Sequence, residues 1–331
     1  MTTVKFALAA LLLPPLALAN DGIGGVSAGG IVFGKTDAIA MKKEVLTVSH
    51  ELISVDYEFV NESPADVEET IIFPLPAYPA SEQPSDSYFG RPGGFTIKVD
   101  GKNVAYSTVV RASLDGVDVT AQLRKLGLTD AQIAFHPSFA PETKVAPFTA
   151  QQRQQLTKLK LVDDDAVGSV GPVWDIQVNY VWKQKFPANK VVRVHHAYQP
   201  FVSAGPGESG MDDDTARRYC ADAAFLKSWK KLAARNGDPG GSYLNAAKVS
   251  YILKTGNTWK NGIEDFTLNV VKGHPSELVS LCFPGAFKKT DAKTYQVRLR
   301  NFKPEQDLEV YFGNIEGGAG GNYGSMPVPS K

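Results

Sequence analysis

Several short patterns in this chain could carry chemistry, and each requires a particular structural setting. Gly25-Val-Ser27-Ala-Gly29 matches G-x-S-x-G, in which a strained strand-to-helix turn exposes a nucleophilic serine. A β-like run follows Ser27 where a helix is required, so a glycine-rich arm explains the match better. Gly205-Pro-Gly207-Glu-Ser-Gly210 matches the G-x-G-x-x-G pattern that seats a pyrophosphate against a helix N-terminus. Asp212, Asp213 and Asp214 would occupy that terminus with negative charge, so the segment reads as a flexible connector. Ser228-Trp-Lys-Lys231 and Lys254-Thr255-Gly256 match the S-x-x-K and K-T-G elements of serine β-lactamases. Those enzymes need a large helical domain and an S-D-N-like element between the two, and this chain has neither there.

Metal chemistry fares no better. His195 and His196 lie on a candidate strand, where neighbouring side chains point to opposite faces, so they do not chelate one ion. His196 shares its face with Val192, Val194 and Tyr198 and reads as a hydrogen-bonded core histidine. Asp163–Asp165 and Asp212–Asp214 lack the alternating ligands and central glycine of a calcium loop and read as solvated acidic turns. The residues therefore imply no catalytic group, no metal and no cofactor.

Two features remain. Trp259 sits in the turn Gly256-Asn-Thr-Trp-Lys-Asn-Gly262, where a strand core does not readily account for it. It is the candidate ligand-binding residue; the competing and favoured reading is a lid folded back on the sandwich. Cys220 and Cys282 are the only two cysteines. An oxidising compartment would make them a disulfide joining a helix to a sheet; the alternative is two separate buried thiols.

The elements that must position these groups are mostly strands. Ile53, Val55, Tyr57 and Phe59 alternate with Ser54, Asp56 and Glu58, the period of a strand with one buried face. Trp174, Ile176, Val178, Tyr180 and Trp182 do the same against Asp175, Gln177 and Asn179. Asp100-Gly101 centres a hairpin. Asp118 is placed to cap a short helix ended by Gly127, and Thr149 with Gln152 forms a capping box. A long helix is expected over about 214–235, with Lys227, Lys230, Lys231 and Arg235 towards its C-terminus. The fold class is mainly β, an antiparallel β-sandwich with helical insertions. Its organisation reads as an N-terminal β part (20–115), a helical insertion (116–170), a C-terminal β part (171–312) and a flexible tail (313–331).

Residues 1–19 have a pattern of their own. Lys5 precedes an unbroken apolar run from Phe6 to Leu18, and Ala17-Leu18-Ala19 gives the small-x-small signature of signal peptidase. Cleavage between Ala19 and Asn20 is expected, with export to the periplasm. Removing Lys5 leaves 34 Lys+Arg against 35 Asp+Glu (35 − 1 = 34), so there is no basic excess for nucleic acid. No later apolar stretch is long enough for a transmembrane helix.

The ordered pieces also resemble a family. They include Asn20-Asp21, Gly29-Gly-Ile-Val-Phe33, Lys35-Thr-Asp37, Met41, Glu44, Val55-Asp-Tyr57-Glu-Phe59-Val-Asn61 and Phe73-Pro-Leu-Pro76. Phe186-Pro187, His196-x-Tyr198-x-Pro200, Tyr219-Cys220, Thr255-Gly-Asn257-x-Trp259-Lys260 and Asp265-Phe266 follow. Together they resemble the bacterial domain-of-unknown-function family 4424, exported proteins of Gram-negative bacteria. Gly22 stands where that resemblance leads one to expect serine. The resemblance implies a periplasmic setting and supplies no catalytic residues. The functional expectation is a non-enzymatic protein that binds an envelope ligand or protein partner. The rival is a hydrolase of envelope material whose carboxylates are assembled only by the fold.

Overall fold

The computed structural model describes residues 20–27, 30–80, 95–134, 145–164, 170–200, 202–204 and 210–315. Residues 1–19, where the leader is expected, most of the Gly205–Gly210 pattern and residues from 316 onward lie outside them. An eight-stranded sheet runs in the order Lys288–Lys289, Thr294–Phe302, Ile263–Val271, Ile39–Val48, Ile53–Asn61, Val191–Tyr198, Thr96–Val99, Lys102–Asn103. A seven-stranded sheet carries Val117–Asp118, Ser107–Leu114, Asp175–Phe186, Val67–Pro74, Gly22–Ser27 and Gly30–Phe33, with Tyr78–Pro79 beside Asp175–Phe186. A four-stranded sheet holds Val202–Ala204, Ala246–Tyr251, Leu308–Gly313 and Leu278–Ser280.

The eight-stranded sheet forms one layer of the sandwich, and the other two sheets share the layer facing it. Phe59 meets Phe186 at 5.9 Å and His196 meets Trp182 at 5.4 Å, which joins the eight- and seven-stranded sheets. His50 meets Phe312 at 5.5 Å, and the hydroxyls of Tyr57 and Tyr251 are 2.9 Å apart, which brings in the four-stranded sheet. Alternation decides what is buried: Ile53, Val55, Tyr57 and Phe59 are all interior, as are Trp174, Ile176, Val178, Tyr180 and Trp182. Gln177 and Asn179 are buried on the opposite face as well. Their amides donate to the carbonyls of Leu75 and Val109, both at 3.1 Å, which offsets their loss of water.

The structure departs from the expected fold in four places. Ile263–Val271 pairs in parallel with Ile39–Val48 inside an otherwise antiparallel sheet, a long-range pairing that alternation cannot reveal. The N-terminal arm is a strand: Gly22 and Ile23 pair with Ile72 and Ile71. Its glycines permit close approach, since a Cβ on Gly24 would lie 2.5 Å from the Val32 carbonyl and 2.6 Å from Ile72 Cδ1. The single helix expected over 214–235 is two. Helices α1 (Thr120–Lys125), α2 (Asp130–Ala134) and α3 (Ala150–Lys158) precede it; α4 is Asp213–Arg218 and α5 is Ala223–Arg235. Cys220 at φ +53° ends α4 in the left-handed region, and Asp222 then caps α5 through the Phe225 amide at 2.7 Å. Finally, Val119 is the N-cap residue of α1 and makes no side-chain cap bond; Asp118 accepts from the Thr120 amide at 2.9 Å.

Local chemistry otherwise builds what the residues imply. Asp100 and Gly101 take positive φ (46° and 79°) at the hairpin tip, and Thr149 with Gln152 forms the capping box of α3. Helix α2 packs over one end of the sandwich, where the Ile133 carbonyl accepts from Trp174 Nε1 at 3.0 Å and the Ala134 carbonyl from the Tyr78 hydroxyl at 3.0 Å.

Candidate functional site

Where the sheets meet, a group of polar side chains is sealed inside. Asn20, Asp21, Glu44, Tyr57, His196, Tyr251, Thr255 and Thr258 are all buried. A β-bulge puts Glu44 there. Ile39 and Met41 point inward, the register shifts between Met41 and Lys43, and Glu44, Leu46 and Val48 point inward afterwards. His196 faces inward by strand alternation while His195 faces out. Thr255 and Thr258 come from the 3₁₀ turn Lys254–Thr258, whose Thr258 hydroxyl donates to the Thr255 carbonyl at 2.7 Å.

Residues 20 and 21 tie the group together. The Asn20 side-chain amide donates to Glu44 Oε2 at 2.8 Å, its carbonyl accepts from the Tyr57 hydroxyl, and its main-chain nitrogen contacts Thr255 Oγ1. Both Asp21 carboxylate oxygens lie 3.0 Å from His196 Nε2, and the Asp21 main-chain carbonyl accepts from Trp259 Nε1 at 2.6 Å. Within this group Glu44 Oε1 and His196 Nδ1 have no hydrogen-bond partner; elsewhere among the described residues the same holds for Asn179 Oδ1 and Trp182 Nε1. Burial pushes the Glu44 carboxyl up to about 8; the Asn20 amide opposes that shift and the charge of Asp21 adds to it. Burial also raises Asp21, against the opposing effect of His196. Tyr57 and Tyr251 are raised by burial too.

Chemically, the group could hold or exchange protons, but it is closed. Neither Asp21, Glu44 nor His196 lines either of two hollows found on the surface of the described residues. The first, about 320 Å³, lies on the outer face of the eight-stranded sheet. Lys43, Asp56, Glu58, Lys98, Arg193 and His195 border it. His195 Nδ1 is 2.8 Å from Asp56 Oδ1 and Arg193 Nε 3.4 Å from Glu58 Oε1, so both carboxylates are engaged and the lysines leave the hollow positive. The second, about 500 Å³, is an open apolar hollow on the seven-stranded sheet, bordered by Val26, Tyr106, Val109 and Val181 with Thr70 and Lys183.

Trp259 is only 2% exposed. Its ring packs on Phe59 at 4.3 Å and Phe186 at 6.1 Å, and its N–H is committed to Asp21. It borders neither hollow, so the ring lies in the core, against the ligand-binding reading and in keeping with the favoured one of a ring folded back on the sandwich. Cys220 and Cys282 are joined as a disulfide, with Cα atoms 5.1 Å apart, linking the α4–α5 junction to the chain just after Leu278–Ser280. Asn20 is buried, and Ala19 lies outside the described residues.

The discarded motifs have structural roles. Ser27 ends a strand that hairpins onto Gly30–Phe33. The Ser228 hydroxyl donates to the Ala224 carbonyl within α5 at 2.8 Å, and Thr255 of the K-T-G triplet is buried. Asp212 caps α4 through the Thr215 amide at 2.7 Å. Among the described residues no group of three or more His, Cys, Asp or Glu side chains could hold a metal ion. Among them too, no helix is long and apolar enough to cross a membrane.

Sequence reasoning missed Asp21 and Glu44 as interior partners. A signal for Glu44 exists: Ile39 and Met41 have odd numbers while Leu46 and Val48 have even ones, so one buried face requires a bulge between them. Asp21 gives no such signal, because its partner His196 is 175 positions away.

Comparison places the chain among known proteins. A family model described as "Domain of unknown function (DUF4424)" matches residues 19–311. No curated protein matches the chain. Among solved structures, a Legionella pneumophila protein provisionally described as nutrient binding is 17% identical, with a TM-score of 0.40, over 89% of this chain and 71% of its own. A two-domain M1 zinc metallopeptidase is 9% identical, with a TM-score of 0.28, over 84% of this chain and 43% of its own. Neither likeness is close enough to transfer a site.

Proposed function

The chain belongs to the DUF4424 family, and on that premise we propose that it is an exported periplasmic protein that binds an anionic envelope ligand without transforming it. The positive hollow on the eight-stranded sheet carries this reading. Arg193 offers a planar fork to a carboxylate or phosphate, and Lys43 and Lys98 add charge from the flanking strands. Export is supported by the apolar run and Ala17-x-Ala19, and by a disulfide that an oxidising compartment sustains. The hydrolase reading would need its carboxyls in an open cleft. Asp21 and Glu44, the buried pair, are shut inside the sandwich.

Intact-mass analysis of the periplasmic protein is expected to find Asn20 as the first residue; retention of 1–19 would refute cleavage after Ala19, and absence of the protein from the periplasm would refute export. For binding, the protein starting at Asn20 is screened by thermal shift against inorganic phosphate, sugar phosphates and peptidoglycan fragments. A ligand that binds only the folded state must raise the melting temperature. Arg193→Ala is expected to weaken the best hit by about tenfold or more, since hydrogen bonds to charged groups contribute roughly 1.5–3 kcal/mol. Undiminished binding by that variant would remove the hollow from the function.

A further inference from the structure

The sealed polar group has a charge imbalance. It contains two carboxyls, Asp21 and Glu44, and one imidazole, His196, which is committed to Asp21. Glu44 has only the neutral Asn20 amide on Oε2, and nothing on Oε1. A buried carboxylate without a countercharge is costly, so in the site as it stands burial favours the protonated Glu44 carboxyl, and a cation beside it is what would let Glu44 ionise. The residue that contacts Glu44 is the one that the expected cleavage makes N-terminal.

We propose that removal of the leader supplies the missing charge: the new α-ammonium of Asn20 becomes the buried counter-ion of Glu44, and the sandwich reaches full stability only after processing. This rests on the export reading given above. The Asn20 nitrogen already faces inward onto Thr255 Oγ1, and the residue is wholly buried. Covalent geometry keeps that nitrogen within roughly 8 Å of the carboxylate its own side chain binds, and rotation of the Glu44 side chain towards it can close the gap. In the uncleaved chain the nitrogen is an amide with one hydrogen and no charge. After cleavage it has three donors, enough for Thr255 Oγ1 and the unpartnered Glu44 Oε1 together.

The surroundings are shaped for this one residue. A Cβ on Gly256 would lie 3.3 Å from Asn20 Nδ2 and 2.9 Å from Ile263 Cδ1, so the 3₁₀ turn presses directly on Asn20. Tyr57 holds the Asn20 side-chain carbonyl and Tyr251 backs Tyr57. Trp259 fixes the next carbonyl along. These contacts anchor a chain end at a defined depth, which a freely placed strand terminus would not need.

The test uses the protein with defined ends: one chain beginning at Asn20, released from a fusion that leaves no extra residue, and one beginning at Ala19. Each is made with Glu44 and with Glu44→Gln. The Asn20 chain is expected to melt about 5–10 °C above the Ala19 chain, the size expected when a buried charge loses its partner in a domain this large. The gap should close in the Glu44→Gln pair. In the folded Asn20 chain, labelling of the α-amine should be slowed at least about tenfold relative to the unfolded chain, because reaction requires opening. Equal melting of the two chains, an unchanged gap with Glu44→Gln, or an amine that labels at the unfolded rate would each overturn the ion pair. Labelling decides the matter even if the Glu44→Gln chains do not fold. A first residue other than Asn20 in the periplasmic protein would instead overturn the cleavage position on which the export reading rests, so the two failures are distinct.

Discussion

Trp259→Ala is expected to destabilise the protein by about 3–5 kcal/mol, the range for deleting a buried Trp or Phe side chain. Three observations set that magnitude. The indole is almost fully buried between Phe59 and Phe186, so its removal leaves a cavity that rings on two different sheets cannot easily fill. Its N–H also satisfies the Asp21 carbonyl, itself interior, and a lost partner there adds a desolvation cost. The same contact positions Asp21 for His196, so the loss reaches the polar group as well. Denaturant unfolding measures it as a lower midpoint at unchanged slope. Trp259→Phe, which keeps most of the ring but drops the N–H, should lose distinctly less. A change below about 1 kcal/mol for the alanine variant is the size seen at surface positions, and it would show that the ring is not core.

The history of that one residue shows what the sequence can and cannot disclose. Trp259 lies in a turn between glycines, a setting that normally faces water, and no periodicity assigns its direction. What buries it is a partner more than two hundred positions away, Asp21, on an arm whose composition suggests little order. Periodicity finds strands that alternate within themselves, such as Ile53–Asn61 and Asp175–Phe186, because burial of one face writes period two into the residues. It is silent on which strands adjoin, and so the parallel pairing of Ile263–Val271 with Ile39–Val48 is invisible to it. The N-terminal strand escapes for a different reason. Gly24 approaches Val32 and Ile72 too closely for a side chain, and with three glycines among its six residues the strand lacks the usual alternation of buried side chains.

The candidate site follows the same division. His196 is legible as an interior histidine from its strand face, and Cys220 with Cys282 from their number and the expectation of export. The identity of the histidine's partner, the bulge that turns Glu44 inward and the placement of Asn20 against it all depend on tertiary contacts. The outer-face hollow depends on cross-strand register: Arg193 is opposite Glu58 and His195 opposite Asp56, while Lys98 flanks His195 on the other side. Each residue alone reads as an ordinary solvated charge, and only their adjacency makes the hollow to which binding is assigned in the proposal.

Replacing both Cys220 and Cys282 with serine is expected to cost about 4 kcal/mol, from the loop-closure entropy that a cross-link of this span removes from the unfolded chain. The two residues are separated by 62 positions, so the bond restricts a segment that includes α5 and two strands of the four-stranded sheet. Contacts within the folded state should survive the change. The Ser280 hydroxyl donates to the Tyr219 carbonyl at 2.8 Å, Tyr219 packs on Tyr311 at 5.1 Å, and Trp229 packs on Tyr311 at 5.8 Å. The loss should therefore come largely from a freer unfolded state, which also exposes more surface. That predicts a steeper denaturant dependence together with a lower stability, a combination that a simple core defect does not give. Left-handed Cys220 adds a local term, because serine at φ +53° keeps the backbone cost without the bond that holds it there. Alkylation of the non-reduced, unfolded protein should find no free thiol. Two free thiols, or a double variant as stable as the parent, would show that the α4–α5 unit is held to the sheet by packing alone.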